Sequence, residues 1–254
     1  MSIPPNAQGI SSKSLVDWMN EGIVHYKAMR YEEALFAYER AIEINPYYGF
    51  AYSNKASVLN ALGHYEQALA AYEQALALRS NFAYDYIGKG DVLCNLQRYE
   101  AALGAYQQAL QLSPNNIYAY NGIGDAFSGL RRYDEALNTL QRVIELDSQA
   151  ADVYCSMGDI LTELQRNEEA LRAYARAIQL DPHSATTYNN LGNLLLQMRN
   201  AEGAVRSYTQ AIQLNPNEAV LYYNLGLVFT TLGRHEEAWQ AMGKARELSF
   251  TSIY

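Results

Sequence analysis

The sequence predicts an all-α protein in which seven consecutive helical hairpins stack into a solenoid. The chain of 254 residues matches itself when it is shifted by 34 residues, a period typical of two short helices and their turns. Within each period, apolar residues recur at spacings of three and four, as they do along one side of an amphipathic helix. The twentieth position of every period is alanine, from Ala34 to Ala238. These observations together favour a stacked helical array.

The register of the repeats follows from this self-similarity. The seven repeats begin at Leu15, Gly49, Ala83, Ile117, Ala151, Ala185 and Ala219. Position four is always aromatic, and position eight is glycine in six repeats and Ala56 in the second. Position twenty-four is tyrosine in five repeats, with Leu140 and Met242 as the exceptions. We predict that the aromatic residues at positions four and twenty-four are core, and that the small residues let the two helices of a hairpin approach closely.

Local signals delimit the second helix of each hairpin. Acidic residues such as Glu32 and Glu33 stand at its start, where the helix dipole favours negative charge. In four repeats its end is followed by proline, and the residue before a proline avoids the α region. Those prolines are Pro46, Pro114, Pro182 and Pro216.

The pattern of a large aromatic residue, a small residue, alanine, an aromatic residue, alanine and proline resembles the tetratricopeptide repeat (TPR) family. The resemblance covers residues 15–252 without an insertion. It implies a right-handed superhelix of seven antiparallel helix-turn-helix hairpins. Residues 1–14 are then predicted to be a disordered leader and residues 253–254 a short tail.

Composition argues against several classes of partner. The formal net charge is −8, whereas a nucleic-acid-binding protein usually presents a basic surface to phosphates, and anionic membranes attract the same charge. The N-terminal sequence has no apolar segment of a secretory signal, and no stretch is apolar for the length of a membrane span. Two cysteines are too few for a disulfide framework. We therefore expect a cytoplasmic protein with protein or peptide partners, and neither nucleic acid nor membrane.

The TPR resemblance implies that the first helix of each hairpin lines a concave groove, with positions 2, 5, 6, 9, 12 and 13 facing it. At these positions Asp91, Asp125 and Asp159 form an acidic ladder, and an aromatic strip of Phe50, Tyr84 and Tyr118 stands beside it. Asparagines add amide groups that can pair with a peptide backbone. The predicted peptide-binding groove comprises Phe50, Asn54, Tyr84, Asp91, Tyr118, Asn121, Asp125, Asp152, Asp159, Asn189, Asn190, Asn193 and Asn224. A solvated face without binding function is the alternative interpretation of these polar rows.

Catalytic and metal sites find no support in the sequence. The histidines His25, His64, His183 and His235 fall at different repeat positions, and Cys94 and Cys155 form no Cys-x-x-Cys motif. Carboxylates of successive repeats lie about one helix-packing distance apart, roughly 8–10 Å, which is too far for one calcium ion. No repeat has a basic residue at positions two, five or six, which argues against a clamp for acidic C-termini. We expect no enzyme activity, no metal and no cofactor.

The sequence thus favours a non-catalytic scaffold that binds an extended, basic or neutral segment of a partner in its groove. Two alternatives remain open. One is a self-assembling module that docks through its C-terminal repeat, which no further capping helix follows. The other is the recognition arm of a larger enzyme assembly.

Overall fold

The computed structural model describes residues 13–79 and 81–251 of the chain. Fourteen α-helices account for most of these residues. They are Leu15–Lys27 (α1), Tyr31–Ile44 (α2), Gly49–Ala61 (α3), Tyr65–Leu78 (α4), Ala83–Asn95 (α5), Tyr99–Leu112 (α6), Ile117–Gly129 (α7), Tyr133–Leu146 (α8), Ala151–Glu163 (α9), Asn167–Leu180 (α10), Ala185–Gln197 (α11), Ala201–Leu214 (α12), Ala219–Thr231 (α13) and His235–Thr251 (α14).

The helices confirm the predicted all-α class, and their boundaries recur every 34 residues. The first helix of every repeat begins at the residue that the self-similarity assigned to it, and each is 13 residues long. The second helices are 14 residues long, apart from α14 with 17. Ser14 caps α1, because its hydroxyl accepts a hydrogen bond from the Asp17 amide. The rest of the predicted leader except Lys13, and the predicted tail, lie outside the described residues.

The chain separates into two compact units, which divide the fourth repeat between its two helices. The first unit extends to Arg132 and contains α1–α7, and the second begins at Tyr133 and contains α8–α14. Within each unit, consecutive helices pack against one another, and in the first unit the first helices of neighbouring repeats also touch. None of the helices in the described ranges has the length and apolar character needed to cross a bilayer.

Each hairpin turns through one residue in the left-handed region at position fifteen of the repeat. Gly63 and Gly233 occupy it with φ of 76° and 71°, and five other side-chain-bearing residues occupy it with φ of 57–62°. The backbone N–H of the next residue then reaches back to a carbonyl five residues earlier, as His64 does to Leu59 over 2.8 Å. This is the pattern of a Schellman cap, which satisfies the carbonyls at the end of the first helix.

The core of four hairpins contains a glycine at position eight packed against the tyrosine ring of position twenty-four. A Cβ atom placed on Gly90 would lie 2.5 Å from Tyr106, and one on Gly158 would lie 2.6 Å from Tyr174. The tyrosines at position twenty-four are buried, as the sequence predicted, and so are the alanines at position twenty. The tyrosines at position four are only half-buried, so the prediction that they are core was correct in part.

Candidate functional site

All thirteen residues of the predicted groove are accessible to solvent, and none belongs to the buried core. Each of the two units holds a share of them. The first unit carries Phe50, Asn54, Tyr84, Asp91, Tyr118, Asn121 and Asp125. The second carries Asp152, Asp159, Asn189, Asn190, Asn193 and Asn224.

The aromatic strip is a continuous surface on the first helices of three repeats. Phe50, Tyr84 and Tyr118 expose 44%, 56% and 64% of their area, which is unusual for rings of this size. The Tyr84 and Tyr118 ring centroids are 6.4 Å apart. Phe82 connects Phe50 to Tyr84, since its ring centroid lies 5.7 Å from that of Phe50 and 5.8 Å from that of Tyr84. Four rings therefore follow one another across α3, α5 and α7.

A buried ion pair fixes one end of the strip. The Arg79 guanidinium lies 3.7 Å from the Phe50 centroid and 4.2 Å from that of Phe82. It pairs over 2.9 Å with Asp85, which is almost fully buried, and Ser53 donates to the same carboxylate over 2.6 Å. Burial raises the pKa of the Asp85 carboxyl, and Ser53 and Arg79 oppose that rise.

This cluster was not predicted from the sequence, although a signal for it exists. Arg79 stands at position thirty-one, where other repeats have Asn, Ser or Asp. Asp85 stands at position three, which is apolar in most repeats. Two residues of opposite charge, six residues apart, both depart from the repeat pattern. Such a pair is the signal expected of an intramolecular ion pair.

Tyrosine hydroxyls of the core bind two members of the acidic ladder, Asp91 and Asp159. Tyr106 donates to Asp91 over 2.8 Å, and Tyr174 donates to Asp159 over 2.6 Å. The same link joins Tyr72 to Ser57 and Tyr208 to Asn193, so position twenty-four contacts position nine in four repeats. Desolvation by surrounding side chains raises the pKa of Asp91 and of Asp159, and the tyrosine hydrogen bonds act in the opposite direction.

An open cavity of about 480 Å³ lies where the strip and the ladder meet in the first unit. Its walls come from α3, α5 and α7 together with one ring of α4. The lining residues are Ser57, Tyr72, Tyr84, Ile87, Gly88, Asp91, Tyr118, Asn121, Gly122 and Asp125. Five of the predicted groove residues are therefore brought together here, and the lining contains no basic residue. The two glycines, Ser57, Tyr72 and Ile87 were not predicted as site residues.

The asparagines of the second unit form a connected network with one carboxylate. Asn190 donates to Asp159 over 2.9 Å, and Asn224 donates to Asn189 over 2.9 Å. Asn189 in turn donates to Asn190 over 3.2 Å. Each amide has two donor hydrogens and an acceptor oxygen, so part of its capacity is used within the protein and part is available to a ligand.

The described residues were also searched for metal-binding and nucleophilic groups. No three His, Cys, Asp or Glu side chains of this part of the chain lie close enough together to hold a metal ion. Burial raises the pKa of the Cys94 and Cys155 thiols, whereas a nucleophilic cysteine needs a lowered pKa.

Family models match the chain along most of its length. A TPR repeat model matches residues 90–130, 158–198 and 200–233. Tetratricopeptide repeat models match residues 17–48, 50–82, 117–149, 184–215 and 219–251. No curated protein sequence gives a significant match.

Solved structures of similar fold cover large parts of the chain. YrrB, described as a TPR protein with an unusual peptide-binding site, is 29% identical over 73% of this chain and 95% of its own, with a TM-score of 0.52. MamA is 25% identical over 65% of this chain and 96% of its own, with a TM-score of 0.57. A tetratricopeptide repeat protein from Parabacteroides merdae ATCC 43184 is 20% identical over 85% of this chain and 84% of its own, with a TM-score of 0.74.

The last of these shows the fold alone, while the family models identify the repeats themselves. The segments matched by the tetratricopeptide repeat models each span one hairpin of the structure and follow the 34-residue register of the sequence. The chain is therefore a member of the tetratricopeptide repeat family.

Proposed function

We propose that this protein is a non-catalytic interaction scaffold that binds an extended segment of a partner protein over α3, α5 and α7. The observation that carries this proposal is the exposed aromatic strip beside the carboxylates of Asp91 and Asp125. Exposed apolar patches rimmed by polar groups mark interaction sites on soluble proteins. Aromatic rings also supply much of the binding energy at protein interfaces.

The charge of this surface favours basic or neutral segments. Asp91 and Asp125 lie in the cavity lining, and the lysines of the same helices are engaged elsewhere. Lys55 pairs with Glu39 over 2.8 Å, and Lys89 pairs with Glu73 over 2.9 Å. Complementary charge speeds association and rejects acidic competitors.

Similarity to a known peptide-binding protein supports the proposal. YrrB is described as having a peptide-binding site, and the alignment with it covers 73% of this chain. From this similarity we infer that the present chain also binds a peptide. The acidic composition and the two unpaired cysteines favour a reducing, cytoplasmic location for the interaction.

A peptide array read at low and moderate salt tests the proposal. The wild type is compared with the double variant Asp91→Asn, Asp125→Asn in the first unit and with Asp159→Asn in the second. Glu33→Gln, which removes an exposed charge from α2, is the matched control. We expect Lys- and Arg-containing peptides to be captured selectively by the wild type and the control, and capture to weaken with salt and in the double variant. Absence of selective capture, or equal capture by all four proteins, would contradict the proposal.

Self-association is a second candidate function, favoured by one exposed side chain. Trp239 on α14 exposes 78% of its area. On the same repeat, Val220 and Tyr223 are also exposed and line an open cavity of about 610 Å³ together with Met242. A second copy of the chain could cover these apolar groups.

Sedimentation velocity over a wide range of protein concentration tests this candidate. Self-association predicts a mass that rises with concentration in the wild type and stays monomeric in Trp239→Gln. A mass that does not depend on concentration would exclude self-association as the function of this surface.

A further inference from the structure

The cavity of the first unit exists because two consecutive repeats have glycine at position six. Four of the other five repeats have asparagine there, as in Asn54 and Asn190, and the fifth has Ser156. A Cβ atom on Gly88 would lie 2.3 Å from the Tyr72 ring, and one on Gly122 would lie 2.3 Å from the Tyr106 ring. The tyrosine rings therefore occupy the space that a side chain would need, and the volume in front of them stays open.

The groups around this volume are suited to an organic cation. Tyr84 and Tyr118 contribute aromatic rings, whose faces attract positive charge. Asp91 and Asp125 contribute carboxylates to the same lining, and Ser57 contributes a hydroxyl. A cation placed in this cavity would contact negative or electron-rich groups on several sides.

The first unit already binds one guanidinium with the same kinds of group. Arg79 stacks on two aromatic rings and pairs with the carboxylate of Asp85, and its Nη2 donates to Ser53 over 2.6 Å. The cavity presents the rings of Tyr84 and Tyr118, two carboxylates and the Ser57 hydroxyl, which come from α3, α5 and α7. The Arg79 cluster thus shows that aromatic rings, a carboxylate and a serine hydroxyl can together hold a guanidinium on this scaffold.

Arginine suits the cavity better than lysine for two reasons. The volume of about 480 Å³ is large for a compact ammonium group, whereas a planar guanidinium can stack on a ring and still donate from five N–H groups. Asn121 also lines the cavity, and its Oδ1 is buried without a hydrogen-bond partner among the described residues. A ligand with many donors can satisfy such an acceptor, which is costly to leave unpaired.

We propose that this cavity receives the side chain of an arginine in the bound segment, with Tyr84 and Tyr118 stacking on the guanidinium and Asp91 and Asp125 pairing with it. The inference rests on the proposed function for the presence of an extended segment that carries the arginine. It makes the first unit an arginine-selective reader and distinguishes it from a surface with general affinity for positive charge.

A small-molecule probe tests the cavity independently of any peptide. The full-length chain, labelled with ¹³C in its tyrosine rings, is titrated with N-acetyl-arginine-N-methylamide and followed by NMR. The citrulline analogue has the same shape without the charge, and the lysine analogue has the charge without the planar group. We expect saturable shifts of the Tyr84 and Tyr118 signals with the arginine compound, and binding at least about tenfold weaker for both analogues.

Two variants and their controls connect the effect to the proposed groups. Asp91→Asn removes a charge but keeps an acceptor for Tyr106, as Asn193 does for Tyr208. It should weaken the arginine compound about tenfold, and Tyr84→Leu should weaken it about three- to tenfold. Glu33→Gln and Tyr47→Leu make the same chemical changes at exposed positions outside the cavity and should leave the affinity unchanged.

Each outcome is informative. Equal binding of the citrulline or lysine analogue, or shifts confined to tyrosines outside the cavity, would overturn the arginine assignment. Selective peptide capture on the array without arginine preference in the titration would overturn this inference and leave the scaffold function intact. Arginine binding in the titration with no peptide captured on the array would support the cavity as an arginine site and contradict the scaffold function.

Discussion

In four repeats the tyrosine at position twenty-four connects the core to the candidate binding face. Its ring packs where position eight is glycine, and its hydroxyl extends to position nine, as in Tyr106 with Gly90 and Asp91. Burial raises the pKa of Tyr72 and Tyr208 to about 12, so these hydroxyls stay protonated and act as donors or acceptors at neutral pH. One residue type therefore sets both packing and the position of the ladder side chains.

The same glycine-to-alanine change should have opposite effects at two positions of the second unit. At Gly158, the new Cβ would lie 2.6 Å from Tyr174, and overpacking should lower the free energy of unfolding by about 1–3 kcal/mol. At Gly243 in α14, no atom lies within 4 Å of the new Cβ, and the gain in helix propensity should raise stability by up to about 1 kcal/mol. Urea denaturation measures both. Equal effects at the two positions would contradict the role of Gly158 in packing.

The raised pKa of Asp159 predicts that its charge reduces stability at neutral pH. Burial raises this pKa most strongly, Glu163 adds to the rise, and Tyr174 and Asn190 oppose it. The folded protein therefore binds the proton more tightly than the unfolded chain. It follows that the penalty is complete above the folded-state pKa and disappears as the pH falls below the unfolded value.

Asp159→Asn should therefore stabilise the protein at pH 7, and its advantage over the wild type should shrink as the pH falls towards the unfolded pKa of about 4. Asparagine can still accept the Tyr174 hydrogen bond, as Asn193 does from Tyr208. Denaturant unfolding at several pH values measures the difference. Asp134→Asn is the control, because its charge lies in the first turn of α8 and its loss should cost about 0.3–1 kcal/mol. Stabilisation by both changes would indicate relief of net charge alone.

At the scale of the helical elements, the turn inside each hairpin has a conformational cost that varies between repeats. A left-handed backbone costs about 1–2 kcal/mol for residues with a Cβ atom and little for glycine. Gln165 adopts φ of 58°, whereas Gly233 adopts 71° at the equivalent position of the last repeat. These two turns, both in the second unit, thus form a natural pair for comparison.

Exchanging these residues should move stability in opposite directions. Gln165→Gly should raise the thermal midpoint by relieving about 1 kcal/mol of strain, and Gly233→Gln should lower it by a similar amount. Differential scanning calorimetry of both variants measures the shifts. A decrease in both would show that the Gln165 side chain makes a contribution that outweighs backbone strain.

The junction between α4 and α5 depends on the buried pair of Arg79 and Asp85. Arg79→Asn alone should cost about 3–5 kcal/mol, because it leaves the Asp85 carboxylate buried without its partner. The double variant Arg79→Asn, Asp85→Ala restores residue types found at these positions in other repeats and should recover much of that loss. A double-mutant cycle in urea measures the coupling. Additive losses would mean that the two charges act independently.

For the whole molecule, the net charge of −8 acts on every approaching ligand. At physiological ionic strength the Debye length is about 8 Å, so added salt screens this long-range attraction before it affects close contacts. We expect the association rate of an arginine-containing peptide to fall about tenfold or more between low and high salt, with a smaller change in dissociation. Stopped-flow measurements test this, with the citrulline version of the same peptide as the control. Equal salt dependence for both peptides would exclude a steering role for the net charge.

The repeating helices could be predicted from the sequence because the same local pattern of spacing and turn residues recurs in every repeat. Helix starts at Ala83 and Ala185, the turn glycines Gly63 and Gly233, and the buried alanines follow from spacing and turn chemistry alone. The solvent exposure of the predicted groove residues was expected from the TPR resemblance, which implies the repeat positions that face the groove.

The hydroxyl links from Tyr106 and Tyr174 to the ladder, and the Arg79 ion pair, were not anticipated. They join residues on different helices, and their formation depends on distances that repeat position does not encode. The half-burial of the tyrosines at position four has the same origin, because exposure depends on the neighbouring helix as well as on the residue's own.

By itself, the sequence determined the helical class, the register of seven hairpins and the membership of the TPR family, because these follow from local periodicity repeated along the chain. Tertiary structure alone decided that Gly88 and Gly122 open a cavity between Tyr84, Tyr118 and two carboxylates. It also decided that the chain divides between Arg132 and Tyr133 into two units. The physical reason is that a cavity and a unit boundary arise from how side chains of different helices fill space, and residue spacing along one chain does not specify that filling.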